Sequence, residues 1–295
     1  KKKSSTFLKI FIGLIIFIIV MAVGVGIGFV TANLNVKADL SKDILPPASS
    51  HIYDSAGNEI AIIHATENRV PVKIAQIPIN VQNAFVAVED NRFYEHSGVD
   101  PRGIARALYT NIRGHGVSEG GSTITQQLAK QLYSGVTAET TISQRMLQKP
   151  VGWYISTMLE RYYTKEEIIT MYLNYFDFLN NAVGIKSAAR TYFAKDPMEL
   201  SLDECATLVG MCKNPSYYNP KKNPERMERR RNVVLDKMYE LGDITEEELA
   251  EAKSKHFDSS KFNIARHDDR FAPYFKEHLR IIMMANNPDK SKYAS

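Results

Sequence analysis

The chain has 295 residues, of which 24% are charged and 44% hydrophobic, and its formal net charge is +4. These proportions exclude a disordered chain and a polytopic membrane protein, and they leave core enough for one large domain or two small ones. With only a mild positive charge and no dense Lys/Arg tract, the chain shows no nucleic-acid footprint.

Residues 1–9 form a short basic tail, led by Lys1, Lys2 and Lys3. The run 10–30 then carries no charge, and about twenty such residues span a bilayer's hydrocarbon core. Lysines on its N-terminal side predict a cytoplasmic start and an external remainder. The run is longer than a secretory signal's apolar stretch, and "FVTANLN" is a poor cleavage site. Gly24 and Gly28 make a GxxxG, which either packs two such helices into a self-associating pair or is simply tolerated in a membrane helix.

Residues 31–50 are polar with a Pro-Pro pair and read as a juxtamembrane linker. "HIYDSAGNEIAII" alternates around Ala56-Gly57-Asn58, which predicts a small β-hairpin. Val81, Ala84, Phe85 and Val88 then mark one helix face by their i, i+3, i+4, i+7 spacing. Pro150 opening "PVGWYISTML" suits the first turn of a helix backed by Trp153, Tyr154, Met158 and Leu159. Gly152 inside that helix weakens it by roughly 1 kcal/mol relative to alanine. Three later helices begin with capping-box pairs, Thr164 with Glu167, Ser201 with Glu204, and Thr245 with Glu248. Cys205 and Cys212 share one helix at a separation of roughly 10 Å, too far for a disulfide, and read as small buried hydrophobes. The histidines include no HExxH and form no metal motif with the cysteines.

Three stretches could carry chemistry. In "VEDNRFYEHSGVD", Glu89 lies just past an apolar helix face, where burial would disfavour its charged form and suit it to proton transfer. Asp90 and His96 could tune or position it, although acidic helix ends are more often just solvated. In "SEGGSTITQQLAKQLY", Ser122 and Thr123 open a helix carrying Gln126, Gln127 and Lys130. Exposed N–H groups with hydroxyls and a lysine suit a phosphate or pyrophosphate. The spacing is not that of a Walker P-loop, and an ordinary cap with a solvated lysine explains it equally. Arg145, Lys149, Arg161 and Lys165 make a basic stretch that could face anionic lipid, pyrophosphate or water.

Taken in order, "EDNRFYEHSGVDPRGIARA", "GGSTITQQLAK", "LERYYTKEEIITMYLN", "GIKSAARTYFAKD" and "LSLDECATLVGMCKNPSYYNP…RRNVVLDKM" resemble the five motifs of the peptidoglycan glycosyltransferases, glycosyltransferase family 51, found in class A penicillin-binding proteins. The resemblance covers roughly residues 50–240. It implies a mainly α, lysozyme-like glycosyltransferase domain over 51–250, with the small hairpin and one N-terminal transmembrane helix. It also implies a bacterial cytoplasmic-membrane location with the catalytic domain outside. The implied reaction polymerises lipid II into growing glycan strands by inverting transfer, with release of undecaprenyl pyrophosphate. Glu89 would be the general base, and Asp90, His96, Ser122, Thr123, Gln126, Gln127, Lys130, Arg145 and Lys149 would line the sugar–pyrophosphate site. A divalent cation, magnesium or manganese, is a family expectation, and no organic cofactor is implied.

One position departs from the family pattern. Anchored on Trp153, Lys149 and "LERYYTKEEI", the family's second catalytic glutamate falls at Gly152. The resemblance implies that this glutamate positions the donor or its pyrophosphate, directly or through a metal. A neighbour such as Glu139 or Glu160 could stand in, the chain could be a binding homologue, or the glycine could sit in an otherwise active enzyme. The expectation is impaired polymerisation with substrate binding retained.

Residues 251–295, including "FAPYFKEHLRIIM", resemble the start of the linker toward a transpeptidase domain, and no SxxK, SxN and KTG constellation occurs. The chain is therefore expected to be the front portion of a bifunctional protein. Two rival functions remain in view. One is a lysozyme-like lytic enzyme, which would have no use for a pyrophosphate site. The other is a membrane scaffold that binds lipid II without turnover.

Overall fold

A computed structural model of the chain describes residues 50–53, 59–63, 69–113, 121–133 and 142–264, with scattered positions between 12 and 26 and between 278 and 285. Most of the expected membrane run, the juxtamembrane linker and most of the C-terminal segment lie outside the described residues. Ile12, Ile16, Phe17, Val20 and Met21 are helical and exposed. Among the described residues no helix is long and apolar enough to cross a membrane.

The fold is mainly helical. Two strands, β1 (Ser50–Tyr53) and β2 (Glu59–Ile63), pair antiparallel with Ser50 opposite Ile63, and the expected turn at Ala56-Gly57-Asn58 lies outside the described residues. Among the described residues these helices follow: α1 (Ile79–Glu89), α2 (Pro101–Arg113), α3 (Ile124–Tyr133), α4 (Ile142–Tyr162), α5 (Lys165–Tyr175), α6 (Ile185–Phe193), α7 (Leu202–Met211), α8 (Pro224–Glu240) and α9 (Glu246–Ser254). They divide between two compact units, one of Lys1–Ile44 and His96–Thr164, the other of Leu45–Glu95 and Lys165–Ser295.

In the second unit α7 is the central element. From Cys205 to Met211 it is buried on every side, which explains why "CATLVGM" shows no polar face. α1 and α8 pack against it and against each other, and α9 closes over α7 and α8. α1 contributes Val81, Ala84 and Phe85 as its spacing predicts, and it also buries Ala87 while leaving Val88 only partly covered. Phe85 meets Tyr172 of α5 with ring centroids 4.6 Å apart. Each fully buried side chain of this size contributes about 1.5–3 kcal/mol relative to exposure.

Helix ends follow local chemistry. At α9 the Thr245 hydroxyl accepts from the Glu248 N–H at 3.2 Å, while the Glu248 carboxylate accepts from the Thr245 N–H at 2.8 Å. At α7 the Glu204 carboxylate accepts from the Ser201 N–H at 2.9 Å, and α5 starts directly after Thr164. Both cysteines are free and buried.

In the first unit α3 packs on α4, and the start of α4 differs from expectation. It begins at Ile142, so Pro150 is its ninth residue rather than a first-turn proline. Pro150 has no N–H for the carbonyl one turn back, but the helix-favouring run "QRMLQK" ahead of it carries the helix through. The apolar bulk expected behind Gly152 is also only partly used. Leu159 and Ile155 are buried, whereas Trp153, Tyr154 and Met158 are half-exposed.

Candidate active site

Glu89 is the last residue of α1, in the second unit. Its side chain is 14% exposed, and its Oε1 lies 3.6 Å from the guanidinium of Arg230, itself 10% exposed. The environment is therefore not simply the apolar one foreseen. Burial disfavours the carboxylate, while an opposite charge this close favours it. Cys212 stands near both groups. Burial above all, then the Glu89 charge, pushes its thiol well above the ordinary value, so it stays neutral. Asp90 is buried directly after the helix, with its N–H on the Val86 carbonyl at 3.0 Å and its own carbonyl accepting from Phe93 at 2.9 Å.

The other expected site residues belong to the first unit, as does His96, which is partly buried. Thr123 precedes α3 as its N-cap. Its buried hydroxyl donates to the Gly98 carbonyl at 2.6 Å and accepts from the Gln126 N–H at 3.2 Å. Gln126 also donates from Nε2 to the Gly98 carbonyl at 3.3 Å. Ser122 and Lys130 are exposed, and Gln127 is half-exposed. The helical spacing of Thr123, Gln126, Gln127 and Lys130 sets them along one side of α3.

Gly98 connects this helix start to α4. It has φ +88°, and a Cβ there would lie 2.7 Å from the backbone carbonyl of Ser156. Ser156 in turn donates its hydroxyl to the Gly152 carbonyl at 2.6 Å. The loop that holds Thr123 and Gln126 thus rests one helical turn from position 152. Gly152 has no backbone reason to be glycine, since a Cβ there would meet nothing within 4 Å. Lys149 is exposed, whereas the side chain of Arg145 lies outside the described residues, as does Glu139. Glu160 accepts from the buried Thr125 hydroxyl at 2.5 Å and so ties α4 to α3.

Among the described residues no three His, Cys, Asp or Glu side chains come together as a cation site. Position 152 adds no carboxylate to such a set.

Sequence reasoning missed Arg230. Three consecutive arginines hid it, because only packing separates Arg229, which is well exposed, from Arg230 on Glu89 and from buried Arg231. The visible signal was the apolar period of α8, Met227, Val234, Leu235 and Met238, which places positions 230 and 231 beside the buried face.

A transglycosylase family model matches residues 56–239. The chain is 38% identical to penicillin-binding protein 1A of Aquifex aeolicus over 272 residues, which cover 92% of this chain and 36% of that one. It is 39% identical to penicillin-binding protein 1A/1B of Bacillus subtilis over 254 residues, covering 86% of this chain and 27% of that one. A crystal structure of penicillin-binding protein 1A from Haemophilus influenzae aligns over 84% of this chain and 26% of its own, with 23% identity and a TM-score of 0.43. The chain belongs to the transglycosylase family, the peptidoglycan glycosyltransferases of class A penicillin-binding proteins. It spans about a third of the length of the curated relatives it matches.

Proposed function

We propose that this chain transfers glycan strands onto lipid II outside the cytoplasmic membrane, and that Gly152 slows the transfer. The observation that carries the reading is Glu89, a half-buried carboxylate kept beside a guanidinium within the family-matched segment. Its carboxylate takes the proton from the 4-hydroxyl of the acceptor GlcNAc. That oxygen attacks C1 of the donor MurNAc, the bond from C1 to the pyrophosphate oxygen breaks, and undecaprenyl pyrophosphate leaves. One displacement inverts the anomeric carbon and needs no carboxylate nucleophile. General-base assistance of this kind contributes roughly 10²–10⁴-fold.

The helix start at α3 would bind the leaving group in this reading. Ser122, Gln126, Gln127 and Lys130, with Thr123 fixing the helix start, supply hydroxyl, amide and cationic donors. Lys149 and Arg145 add charge from α4, Asp90 follows the base directly in sequence, and His96 is a further polar group of the family-matched segment. The lysine-led run 10–30 anchors the domain, and its GxxxG offers a route to self-association. At position 152 the family's second carboxylate is missing, so the donor binds but is poorly positioned.

Polymerisation of labelled lipid II by this chain and by Gly152→Glu tests the reading. The expected result is slow polymer formation that rises at least tenfold in the variant. Equal, robust rates in the two proteins overturn the impairment. The specific observation favouring a second reading, a non-catalytic scaffold, is Gly152 itself, and lipid II binding without turnover even in Gly152→Glu would establish that reading instead. Anhydro-sugars released from cell wall, with no lipid II consumed, would show a lytic enzyme.

A further inference from the structure

Arg230 is built into the second unit with more care than a surface cation requires. Its stem crosses Gly210 of α7, where a Cβ would lie 3.2 Å from the Arg230 Cγ and 2.7 Å from the Met227 Cε. Any larger residue at 210 crowds the path by which the guanidinium reaches the end of α1. The guanidinium carbon lies 5.9 Å from the Tyr218 ring centroid, and the buried Arg230 Nε has no hydrogen-bond partner among the described residues. A desolvated guanidinium with an unused donor is costly to keep unless its charge serves a neighbour. That neighbour is the Glu89 carboxylate, 3.6 Å away.

The next residue in the chain shows what a structural arginine looks like. Arg231 donates to the Lys255 carbonyl at 2.6 Å and to the Lys253 carbonyl at 3.2 Å, closing the end of α9. Arg230 closes no helix end in this way. Arg230 from α8 and Cys212 after α7 both stand near Glu89, with buried Asp90 next in sequence. Cys212 is a neutral thiol, whereas Arg230 brings a positive charge to this carboxylate.

We propose that Arg230 is the positioning residue of the catalytic base: through its ion pair it holds Glu89 ionised and aimed, and it acts on the reaction only through Glu89. This rests on the reading of Glu89 as the base. Without Arg230, a carboxylate this buried takes up a proton at higher pH, and the fraction competent to accept the acceptor's proton falls.

The experiment uses the full chain in two readouts. Carboxyl carbon NMR, with the Glu89 resonance assigned by Glu89→Gln, follows Glu89 through a pH titration in the parent, Arg230→Met and Arg230→Lys. Its midpoint is expected to rise by about one pH unit or more in Arg230→Met and to rise less in Arg230→Lys, which keeps the charge. In the Gly152→Glu background, lipid II polymerisation by Arg230→Met is expected to lose kcat, with the acid limb of the profile displaced to higher pH and KM unchanged. If Arg230→Met fails to fold, Arg230→Lys and Arg230→Gln carry the same comparison. A Glu89 midpoint that does not move when the guanidinium is removed overturns the proposal. So does a kcat loss that is uniform across pH. A displaced midpoint with no polymer from any variant leaves the charge coupling standing and rejects the transferase reading instead.

Discussion

Asn174 holds both backbone groups of Val72 from a position 102 residues away, its Oδ1 accepting from the Val72 N–H at 3.0 Å and its Nδ2 donating to the Val72 carbonyl at 2.9 Å. The asparagine amide thus takes the place of a neighbouring strand and pins the segment before α1 to the end of α5. Both residues are buried. Asn174→Leu leaves a buried donor and a buried acceptor unpaired, each costing about 1–3 kcal/mol. Urea denaturation should show a loss of roughly 2–5 kcal/mol, and Asn174→Asp, which keeps only the acceptor, should fall between that variant and the parent.

Gly98 combines a left-handed backbone with close contact to α4. Gly98→Ala brings a methyl within 2.7 Å of Ser156 backbone atoms that cannot swing aside, so the loop must move. That displaces the carbonyl shared by Thr123 and Gln126. The expected outcome is destabilisation of about 1–3 kcal/mol together with a several-fold weaker Kd for lipid II, measured by thermal denaturation and by binding of the labelled substrate. A destabilised variant with unchanged Kd would remove Gly98 from the account of the binding helix.

Gly152 behaves in the opposite way, because the space around it is open. Gly152→Ala should stabilise the first unit by about 0.5–1 kcal/mol through helix propensity alone and leave polymerisation as slow as before. Gly152→Glu should be equally well tolerated while restoring rate. Comparing the three proteins by denaturation and lipid II turnover separates the effect of the backbone from that of the carboxylate.

Alkaline pH should unfold the second unit early. Burial pushes the Cys205 thiol and the Tyr192 hydroxyl each up to about 12, and pushes Cys212 well above its ordinary value. All three are therefore neutral in the folded state, while in the unfolded chain the thiols ionise near pH 9.0 and the tyrosine near 10.0. A raised folded value gives stability that is complete below the unfolded value and is lost as pH rises toward the folded one. Stability should hold to about pH 8.5 and then fall by roughly 1.4 kcal/mol per pH unit for each group engaged. Cys205→Ala together with Cys212→Ala should flatten the first part of that fall in urea titrations.

Much of the helical architecture was legible from spacing and caps. Val81, Ala84 and Phe85 face the core as their period demands, and Thr245 with Glu248 forms the full box, because these features depend on neighbours within one or two turns. The start of α4 was not legible. A local rule placed Pro150 at a first turn, and the cumulative preference of the residues before it overrode that rule. Three consecutive residues in left-handed conformation, Leu179, Asn180 and Asn181, were equally invisible. Asn180 and the neighbouring Phe178 are held by long-range bonds, since the Tyr192 hydroxyl donates to the Phe178 carbonyl at 2.6 Å and accepts from Asn180 at 2.9 Å. No pattern in "FLNN" announces a partner that lies on the next helix.

The sequence by itself determined the family, the helical class and the position of Glu89, since ordered motifs and apolar periods are one-dimensional signals. It also singled out Gly152 as the position where the family resemblance implies a glutamate. Only the tertiary structure decided that nothing near Gly152 demands a glycine, and that three adjacent arginines have three different surroundings. The reason is geometric. Successive residues on a helix point about 100° apart, so Arg229, Arg230 and Arg231 look alike along the chain, and packing against α1, α7 and α9 tells them apart.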